Sequence, residues 1–581
     1  MSRTDIVIPR KASFLKKVWA LAWPYFWSEE KWAARGLLAL VVALNLGQVF
    51  LDVVLNYWNN DFGNAIQKYD EAAFWRLILK FFIIAIPYLI VYVYATYLQQ
   101  MLQIRWRKWM TDRTLQHWLT NRNYYRLQLK TGDTDNPEQR IEQDINQFTG
   151  SSLDLSLGLM SSVVTLVSFI TILWTLSGDL NFAVAGINIS IPGYMVWVAL
   201  LYAAAGSFLT YLVGRPLIRT NFELQRSNAT FRFGMTRLRE NAENVAFYGG
   251  EESERREIMI LFGSVWRYWG NLMRQQKRLN FFIIFYRLLA NIFPTVVASP
   301  RYFSKAISLG GLSQIGSAFG SVQGALSWFV SSFTALADWK ATVDRLIGFV
   351  DTLERVEAEK PEIDVALGAN AELAADDLNV SLPDGRQLIR DLSARIEAGD
   401  RVLVSGPSGS GKTTLFRTLA GLWPYGGGTV HVPTNARVLF LPQRPYLPMG
   451  TLRHALCYPA QSGDIPDVDL KSVLDEVHLS ALKDRLDENA NWTMTLSIGE
   501  QQRLAIARAL LLKPEWLYLD EATAALDADN EKQMYELLKR HLPDATILSI
   551  AHREAVARYH TRRLAIDPES RSAALTPLAA E

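Results

Sequence analysis

Cysteine is all but missing from the chain. Cys457 stands alone among 581 residues, which excludes an intramolecular disulfide framework and fits a reducing compartment for its surroundings. A lone thiol of this kind reads as a small buried hydrophobe. An excess of one charge is missing as well: 60 Lys and Arg against 58 Asp and Glu leave a net charge of +2. A nucleic-acid binder is expected to show a strongly basic domain or face, so none is expected as a partner. Residues 1–32 lack a small-residue cleavage site behind a short apolar core. Their mixture of Arg10, Lys11, Lys16 and Lys17 with Trp19, Trp23, Tyr25, Phe26 and Trp27 predicts a retained amphipathic helix on the inner face of a membrane, not a cleaved signal peptide.

Apolar and aromatic residues are what the chain has in plenty. Hydrophobic residues make up 49%, with 18 Trp, 22 Tyr and 27 Phe, yet mean hydropathy is only +0.04. An apolar half is being averaged with a polar one, and the length calls for at least two domains. Six stretches reach the roughly 20 mostly apolar residues that a spanning helix needs. They are 36–58, 78–98, 153–176, 194–213, 279–299 and 312–335, the last rich in Gly, Ser and Gln. Lys and Arg set the orientation, because cytoplasmic loops near spans carry their excess. They crowd the stretch after span two (Arg105, Arg107, Lys108, Arg113 and onward to Arg140) and the stretch after span four (Arg215 to Arg278), whereas 178–192 has none. The N-terminus, both basic stretches and everything after span six are therefore expected in the cytoplasm.

Both basic stretches are too long for turns and carry helical periodicity, as in Trp106, Trp109, Met110 and Thr114 or Leu224, Phe231, Met235 and Leu238. They are expected to extend the spans beyond the bilayer as cytoplasmic helices. Each holds a reversal point: Asp133, Thr134, Asp135, Asn136 and Pro137 in the first, Phe247, Tyr248, Gly249 and Gly250 in the second. A plain helical hairpin would account for such turns. The favoured reading is a pair of coupling elements pressing on a motor domain, with Asn136, Pro137, Gln139 and Arg140 in one and Phe247, Tyr248, Gly249 and Glu251 in the other.

Between Asp344 and Asn370 the composition turns charged and loses its long apolar runs. This predicts a membrane domain over 1–350, a linker over 351–370, a soluble α/β domain over 371–570 and a tail over 571–581. In the soluble part an apolar strand from Arg401 runs into Gly406, Ser408, Gly409, Ser410, Gly411, Lys412, Thr413 and Thr414 and then a helical stretch. That is the strand, loop and helix context of a P-loop. Its glycines let successive N–H groups converge on phosphate oxygens at a helix N-terminus, Lys412 meets the terminal phosphates, and Thr413 takes a position on Mg²⁺. Downstream, an apolar strand from Trp516 ends in Asp520 and Glu521. Asp520 is expected beside the P-loop, organising Mg²⁺ through water, with Glu521 polarising the attacking water.

A third element, from Leu496 through Ser497, Ile498, Gly499 and Glu500 to Gln501, Gln502 and Arg503, opens a helix. It resembles the signature loop of the ATP-binding-cassette (ABC) family, and the likeness extends over essentially the whole chain. The resemblance implies that Ser497, Gly499 and Glu500 meet the γ-phosphate held by a second subunit, so that ATP acts as glue in a homodimer. A helix start is in itself an anion site. The resemblance further implies that Gln443 contacts Mg²⁺ and the coupling helices, that His552 holds the γ-phosphate and Glu521 in place, and that Asp527 crosses to the partner. Three features depart from the family pattern: Ile498 replaces a usual Gly, Ala525 replaces a usual Ser, and segment 378–385 has no aromatic to stack on adenine.

Within the family, the runs Asn136 to Ile141 with Asp144, Asn244 to Glu252 and Gln443 to Leu452 resemble subfamily D, the peroxisomal fatty-acyl transporters, and their bacterial relatives. Asn56 to Asn64 and Trp106 to Thr111 favour the bacterial SbmA/BacA-related group, linked to uptake of antimicrobial peptides and cobalamin-like solutes. The resemblance thus implies an α-helical six-span membrane domain with long cytoplasmic helices, followed by an α/β P-loop NTPase domain, in the bacterial inner membrane. Such a protein hydrolyses ATP with Mg²⁺ and moves a peptide or cobalamin-like solute through membrane lipid by alternating access. A lipid or fatty-acyl transporter and a non-pumping ATP-gated regulator are the alternatives; intact Glu521, His552 and Gly499 speak against the regulator. Arg287 and Asn291 in span five, with Gln314 and Gln323 in span six, are expected to line a polar cavity, because an ionisable group inside a span generally faces a cavity or a partner. Pairing of Arg287 with Asp52 for packing is the other reading. The missing adenine-stacking aromatic predicts comparable turnover of ATP and GTP by the purified protein; phosphate-release assays that find a strict preference for ATP would contradict it.

Overall fold

A backbone crossing lipid has to close its hydrogen bonds within itself, and the first of the chain's two units, Met1–Val356, is accordingly almost all helix. The computed structural model describes residues 13–131, 136–184, 187–367, 372–434, 436–461 and 463–578. Helix α1 (Phe14–Ala22) and a 3-10 turn lead into α2 (Lys31–Gln67), α3 (Glu71–Leu119) and α4 (Asn123–Thr131). A short α5 (Pro137–Gln139) passes through a π turn into α6 (Ile145–Ser177). The hairpin β1 (Asp179–Val184) and β2 (Ile187–Pro192) then precedes α7 (Tyr194–Glu240), α8 (Ala242–Tyr248), α9 (Glu251–Phe303), α10 (Leu309–Ser331) and α11 (Phe333–Ala358). At about 1.5 Å per residue, the 49, 47 and 53 residues of α3, α7 and α9 run far past the roughly 30 Å of a hydrocarbon core.

Among the described residues, five helices are long and apolar enough to cross a membrane: Lys31–Gln67, Glu71–Lys130, Pro137–Ser177, Tyr194–Glu240 and Glu251–Phe303. The sixth expected span corresponds to α10, which is not one of the five because Gly, Ser and Gln dilute its apolar content. It also stops at Ser331, short of the expected Ala335, and a new helix starts at Phe333. Helix α10 is nevertheless an interior element. It packs on α2, α6, α7 and α9 and buries Gln314, Ile315, Ala318, Phe319 and Val322.

A polar ladder fastens α10 to α2. Asn56 Nδ2 donates to the Gln314 carbonyl at 3.2 Å, Asn60 Nδ2 to Gln314 Oε1 at 2.5 Å, and Asn64 Nδ2 to Asn60 Oδ1 at 2.6 Å. The free N–H groups at the α10 start donate to Gln67 Oε1 and Asn64 Oδ1. Asn56, Asn60 and Asn64 recur every fourth residue and so share one helix face; inter-helix amide bonds of this kind hold spans together where the hydrophobic effect does not. The backbones meet where Gly63 faces Gly310, and a Cβ on Gly310 would fall on the Asn60 carbonyl oxygen.

Away from the spans, Tyr25 stacks on Trp106 at 6.0 Å in a core that draws on α1, α3, α6 and α11, so the N-terminal segment is anchored by packing. Beside it, Trp19, Trp23, Trp27 and Trp32 stay exposed, the first two stacked at 4.5 Å. Arg10 and Lys11 of the expected amphipathic helix lie outside the described residues. Buried Asp144 accepts from Arg345 Nε at 2.9 Å and Nη2 at 2.6 Å and from Arg140 Nη1 at 3.0 Å, clasping α11 to the start of α6.

The second unit, Glu357–Glu581, is α/β. In chain order it holds β3 (Asp364–Leu367), β4 (Leu373–Ser381), β5 (Gln387–Ile396), β6 (Arg401–Ser405), α12 (Lys412–Leu419), β7 (Gly426–Val432), β8 (Val438–Leu441), β9 (Gly450–Thr451), α13 (Leu452–Cys457) and α14 (Asp467–Glu476). There follow β10 (Asn489–Ala490), α15 (Trp492–Thr495), α16 (Ile498–Leu512), β11 (Trp516–Asp520), α17 (Ala528–His541), β12 (Thr546–Ile550), β13 (Arg562–Asp567) and β14 (Ser572–Pro577). One sheet runs β14-β13-β6-β12-β11-β8, parallel except for β14, and a second runs β3-β7-β4-β5. Strands β11 and β12 are buried throughout and read as continuous apolar runs, as strands covered on both faces do.

Two expected boundaries shift. The segment 351–370 is not a free linker: α11 continues to Ala358, and Asp364–Leu367 pairs with β7, while 368–371 lie outside the described residues. The expected tail contributes β14, six residues paired antiparallel with β13. Strands this short carry too little alternation to stand out from composition and are defined by the neighbour they pair with. Replacing Gly310 by Val should destabilise the membrane unit by about 1–3 kcal/mol through overpacking against α2, read as a lowered Tm in lipid nanodiscs. Gly324→Ala, where an added Cβ meets nothing within 4 Å, should leave Tm unchanged.

Candidate functional site

The P-loop lies where β6 ends and α12 begins. Gly406 and Gly411 adopt φ values of 155° and 95°, in the half of conformational space that favours glycine. A Cβ on Gly406 would come within 2.8 Å of the Ile566 carbonyl oxygen, so the residue is needed for room as well as for turn geometry. Lys412, 7% exposed, donates from Nζ to the carbonyls of Gly406 at 2.8 Å and Pro407 at 2.9 Å. The Ser410 hydroxyl is buried without a hydrogen-bond partner. A flexible cation, an unspent hydroxyl and the amides of a helix start make this loop a phosphate cradle.

Strand β11 brings the acids to that cradle. Thr413 Oγ1 donates to Asp520 Oδ1 at 3.1 Å, and burial pushes the Asp520 carboxyl above its ordinary range while the Thr413 bond works against that rise. The chain then turns through Glu521 at φ 51°. Both Glu521 oxygens are engaged: Gln443 Nε2 donates to Oε2 at 2.8 Å and His552 Nε2 to Oε1 at 2.7 Å. The strand-end position pointed to Glu521 and the family resemblance to Gln443 and His552, and the fold brings the three together. Of the two histidines that follow β12, His552 is exposed at the carboxylate. His560 is buried between Ser549 Oγ at 2.8 Å and the Val556 carbonyl at 3.0 Å, and burial holds its pKa down at about 4.

The Thr413 hydroxyl, the Asp520 carboxylate and the Gln443 amide oxygen are hard oxygen donors of the kind Mg²⁺ takes. Among the described residues there is no cluster of three or more His, Cys, Asp or Glu. This donor set therefore fits an ion completed by substrate phosphates and water, not one held in an all-protein cage.

Ser497 caps α16, with its backbone N–H and its hydroxyl bonded to Glu500 Oε2 at 2.9 and 2.7 Å. Those bonds hold the Glu500 carboxyl below its usual range. Gly499 follows within the first turn of the same helix. Asp527 caps α17 by accepting from the Asn530 N–H at 2.8 Å, which also lowers its pKa. Ile498 points outward, 51% exposed. In the segment 378–385 the turn between β4 and β5 places no aromatic, and Trp423, bonded to the Ser381 carbonyl, is itself buried.

Sequence reasoning passed over Gln502. Its Nε2 donates to the carbonyls of Gln443 at 3.0 Å and Glu521 at 3.4 Å, and its Oε1 accepts from the Ala525 N–H at 3.0 Å. One buried amide thus ties the start of α16 to the turns that carry Gln443, Glu521 and Asp527. Glu531, likewise overlooked, accepts from Thr523 at 2.7 Å and from Arg553, next to His552, at 3.1 Å. Only their neighbours in the motifs could have pointed to either residue.

The model of the ABC transporter transmembrane region 2 matches residues 21–303, and that of the ABC transporter family matches 389–524. The inner membrane ABC transporter ATP-binding protein YddA of Escherichia coli is 33% identical over 90% of this chain and 92% of its own. The chain belongs to the ABC transporter family. A Synechocystis ABC transporter ATP-binding protein is 35% identical over 94% of this transporter and 82% of its own length. Human ATP-binding cassette sub-family D member 3 is 28% identical over 92% and 84%. A bacterial Atm1-family ABC exporter with ATP bound shares the fold, with a TM-score of 0.69 over 94% of this chain and 95% of that one at 17% identity. The transporter is thus a membrane-embedded ATPase coupled to transport, with an exporter-type helical domain followed by its nucleotide-binding domain.

In the membrane unit, the residues expected to share a cavity divide. Arg287, Asn291 and Gln323 line a pocket of ≈ 720 Å³. Gln314 does not; it is 1% exposed, with its carbonyl and Oε1 taken by the α2 ladder and its Nε2 buried without a partner. Asp52 is hydrogen-bonded to Tyr88. Of the expected coupling residues, Asp133, Thr134 and Asp135 beside them lie outside the described residues, and Arg140 is turned in toward Asp144. Asn136 precedes α5, which starts at Pro137, without a side-chain capping bond, and Gln139 is exposed and bonded to Gln143. Phe247 and Tyr248, 80% and 89% exposed, end α8 at Gly249, which takes φ 60°, and Glu251 opens α9. Glu521→Gln should leave nucleotide binding within about threefold of wild type while cutting turnover by at least about 10²-fold, as expected for loss of a general base; filter binding and phosphate release on the same preparation check both.

Proposed function

We propose that this transporter works as a homodimer in the bacterial inner membrane, with six spans per chain, two shared ATP sites and an alternating-access cavity for an amphipathic solute. The observation that carries the reading is the Glu521 carboxylate held on both sides by Gln443 and His552, since a protein that only sensed ATP would not need a poised base. In this mechanism the P-loop amides, Ser410 and Lys412 hold the phosphates, while Glu521 takes a proton from the attacking water and His552 keeps the carboxylate aimed. Mg²⁺, held by Thr413, Gln443 and Asp520, would offset charge on the phosphates. Ser497, Gly499 and Glu500 of the second copy would close over the γ-phosphate, with Asp527 reaching across the same interface.

Helix α10 serves as the sixth span on this reading, made tolerable in lipid by the helices around it and by the Asn ladder. The exposed Trp19, Trp23, Trp27 and Trp32 suit a segment lying at the membrane interface. Exposed Phe247 and Tyr248, and the turn at Asn136, Pro137 and Gln139, suit the coupling role, in which closure of the ATP sites is passed to the spans. A change of state of this kind can be driven only by ligands whose affinity differs between the two states.

For cargo, the polar pocket beside Arg287 supports a peptide or cobalamin-like solute. A second pocket favours a fatty-acyl solute instead. It measures ≈ 600 Å³ and is lined by Leu217, Ile218, Leu279, Ile283 and Phe333 together with Arg215, a largely apolar lining suited to an alkyl chain. Proteoliposomes of both orientations, loaded with ATP and offered labelled peptide, cobalamin or fatty-acyl conjugate, should show ATP-dependent movement of one class only. Equal movement in the Glu521→Gln protein would sink the transport reading.

A further inference from the structure

Transport by a shared ATP site leaves Arg287 unexplained. This guanidinium lies within α9 in a span, makes no hydrogen bond or ion pair among the described residues, and faces the ≈ 720 Å³ pocket. The acid that packing would have offered it, Asp52, is bonded to Tyr88 instead. Asn291 and Thr295 follow at four-residue intervals on the same face of α9, with Ser313 and Ser317 of α10 lining the pocket with them. Elsewhere in the spans Thr171, Thr175 and Thr210 return their hydroxyls to carbonyls one turn back. Thr295, Ser313 and Ser317 make no such bond among the described residues, so their hydroxyls are free to donate. Gln323 is occupied, its amide N–H groups directed to Tyr286 at 3.3 Å and Ser327 at 3.1 Å. No Asp or Glu lines the pocket.

We propose that this pocket is an anion-recognition site, in which Arg287 pairs with a carboxylate or phosphate of the cargo and Asn291, Thr295, Ser313 and Ser317 complete its hydrogen bonds. Arginine presents a planar fork that matches either oxyanion in bidentate fashion. A cationic solute would meet an unneutralised like charge there, so the site selects by sign. The inference deepens the transport reading and rests on it for the identity of the ligand as cargo.

The test uses the full-length protein in zwitterionic-lipid nanodiscs, titrated without nucleotide. The probes are fluorescently labelled dodecanoate, labelled dodecylamine and labelled triglutamate. Wild type should bind at least one acidic probe at least tenfold more tightly than the amine. Arg287→Gln should abolish that preference and Arg287→Lys should keep part of it. Ser317→Leu, which fills the pocket from the facing helix, gives a second route to the same loss should the Gln variant misfold. Dodecanoate binding alone identifies an amphiphile as the source of the acid, triglutamate binding alone a water-soluble anion, and either supports the site. A wild type that does not distinguish acid from amine, or a folded Arg287→Gln protein that binds acids as tightly as wild type, overturns it. Arg287-dependent binding without ATP-driven movement in vesicles would uphold the site while removing the transport reading.

Discussion

The ATP site depends on where the chain turns after β11. Five buried residues carry the strand to Asp520, and the next residue leaves the sheet through a left-handed conformation that L side chains visit rarely. That turn throws the Glu521 carboxylate out between Gln443 and His552. Strained backbone of this kind persists only where its surroundings over-determine it, and here the Gln502 amide does so by bonding the Glu521 and Gln443 carbonyls together. Remove the turn, and the acid, the amide and the histidine no longer meet.

In the membrane unit a different constraint rules, the cost of an unsatisfied polar group in lipid. Two sets of polar residues in the spans meet it in opposite ways. Asn56, Asn60, Asn64 and Gln314 bond one another and become structural, leaving only Asn56 Oδ1 and Gln314 Nε2 of the ladder buried without a partner, and α2 and α10 come together until Gly63 and Gly310 touch. Arg287, Asn291, Thr295, Ser313 and Ser317 have no such partners and face open volume. The same chemistry therefore fastens one helix pair and leaves polar groups facing open volume beside another.

The residues proposed to hold the nucleotide stood out before the fold because they fall in short runs: Gly406 to Thr413 and Asp520 with Glu521 by the strand context of each run, Ser497 to Glu500 by resemblance to a family signature. Spans one to five were legible because lipid demands length and apolarity together. Span six was not secure on that ground, since α10 is diluted with Gly, Ser and Gln and owes its place to the helices that cover it. Strands β3 and β14 escaped for a similar reason; each is a handful of residues with weak alternation, read as linker and tail until a neighbouring strand pairs with it.

Sequence alone determined the chemistry, that is, a phosphate loop, a paired acid and five stretches fit for lipid, because local spacing and composition obey local rules. Only tertiary structure decided which polar residues are free. Gln314 and Arg287 look alike in a row of apolar letters, as do the neighbours Gln501 and Gln502. Their roles diverge because hydrogen bonding is settled by what lies across a contact, often two hundred residues away in the chain, and no window of sequence contains both partners.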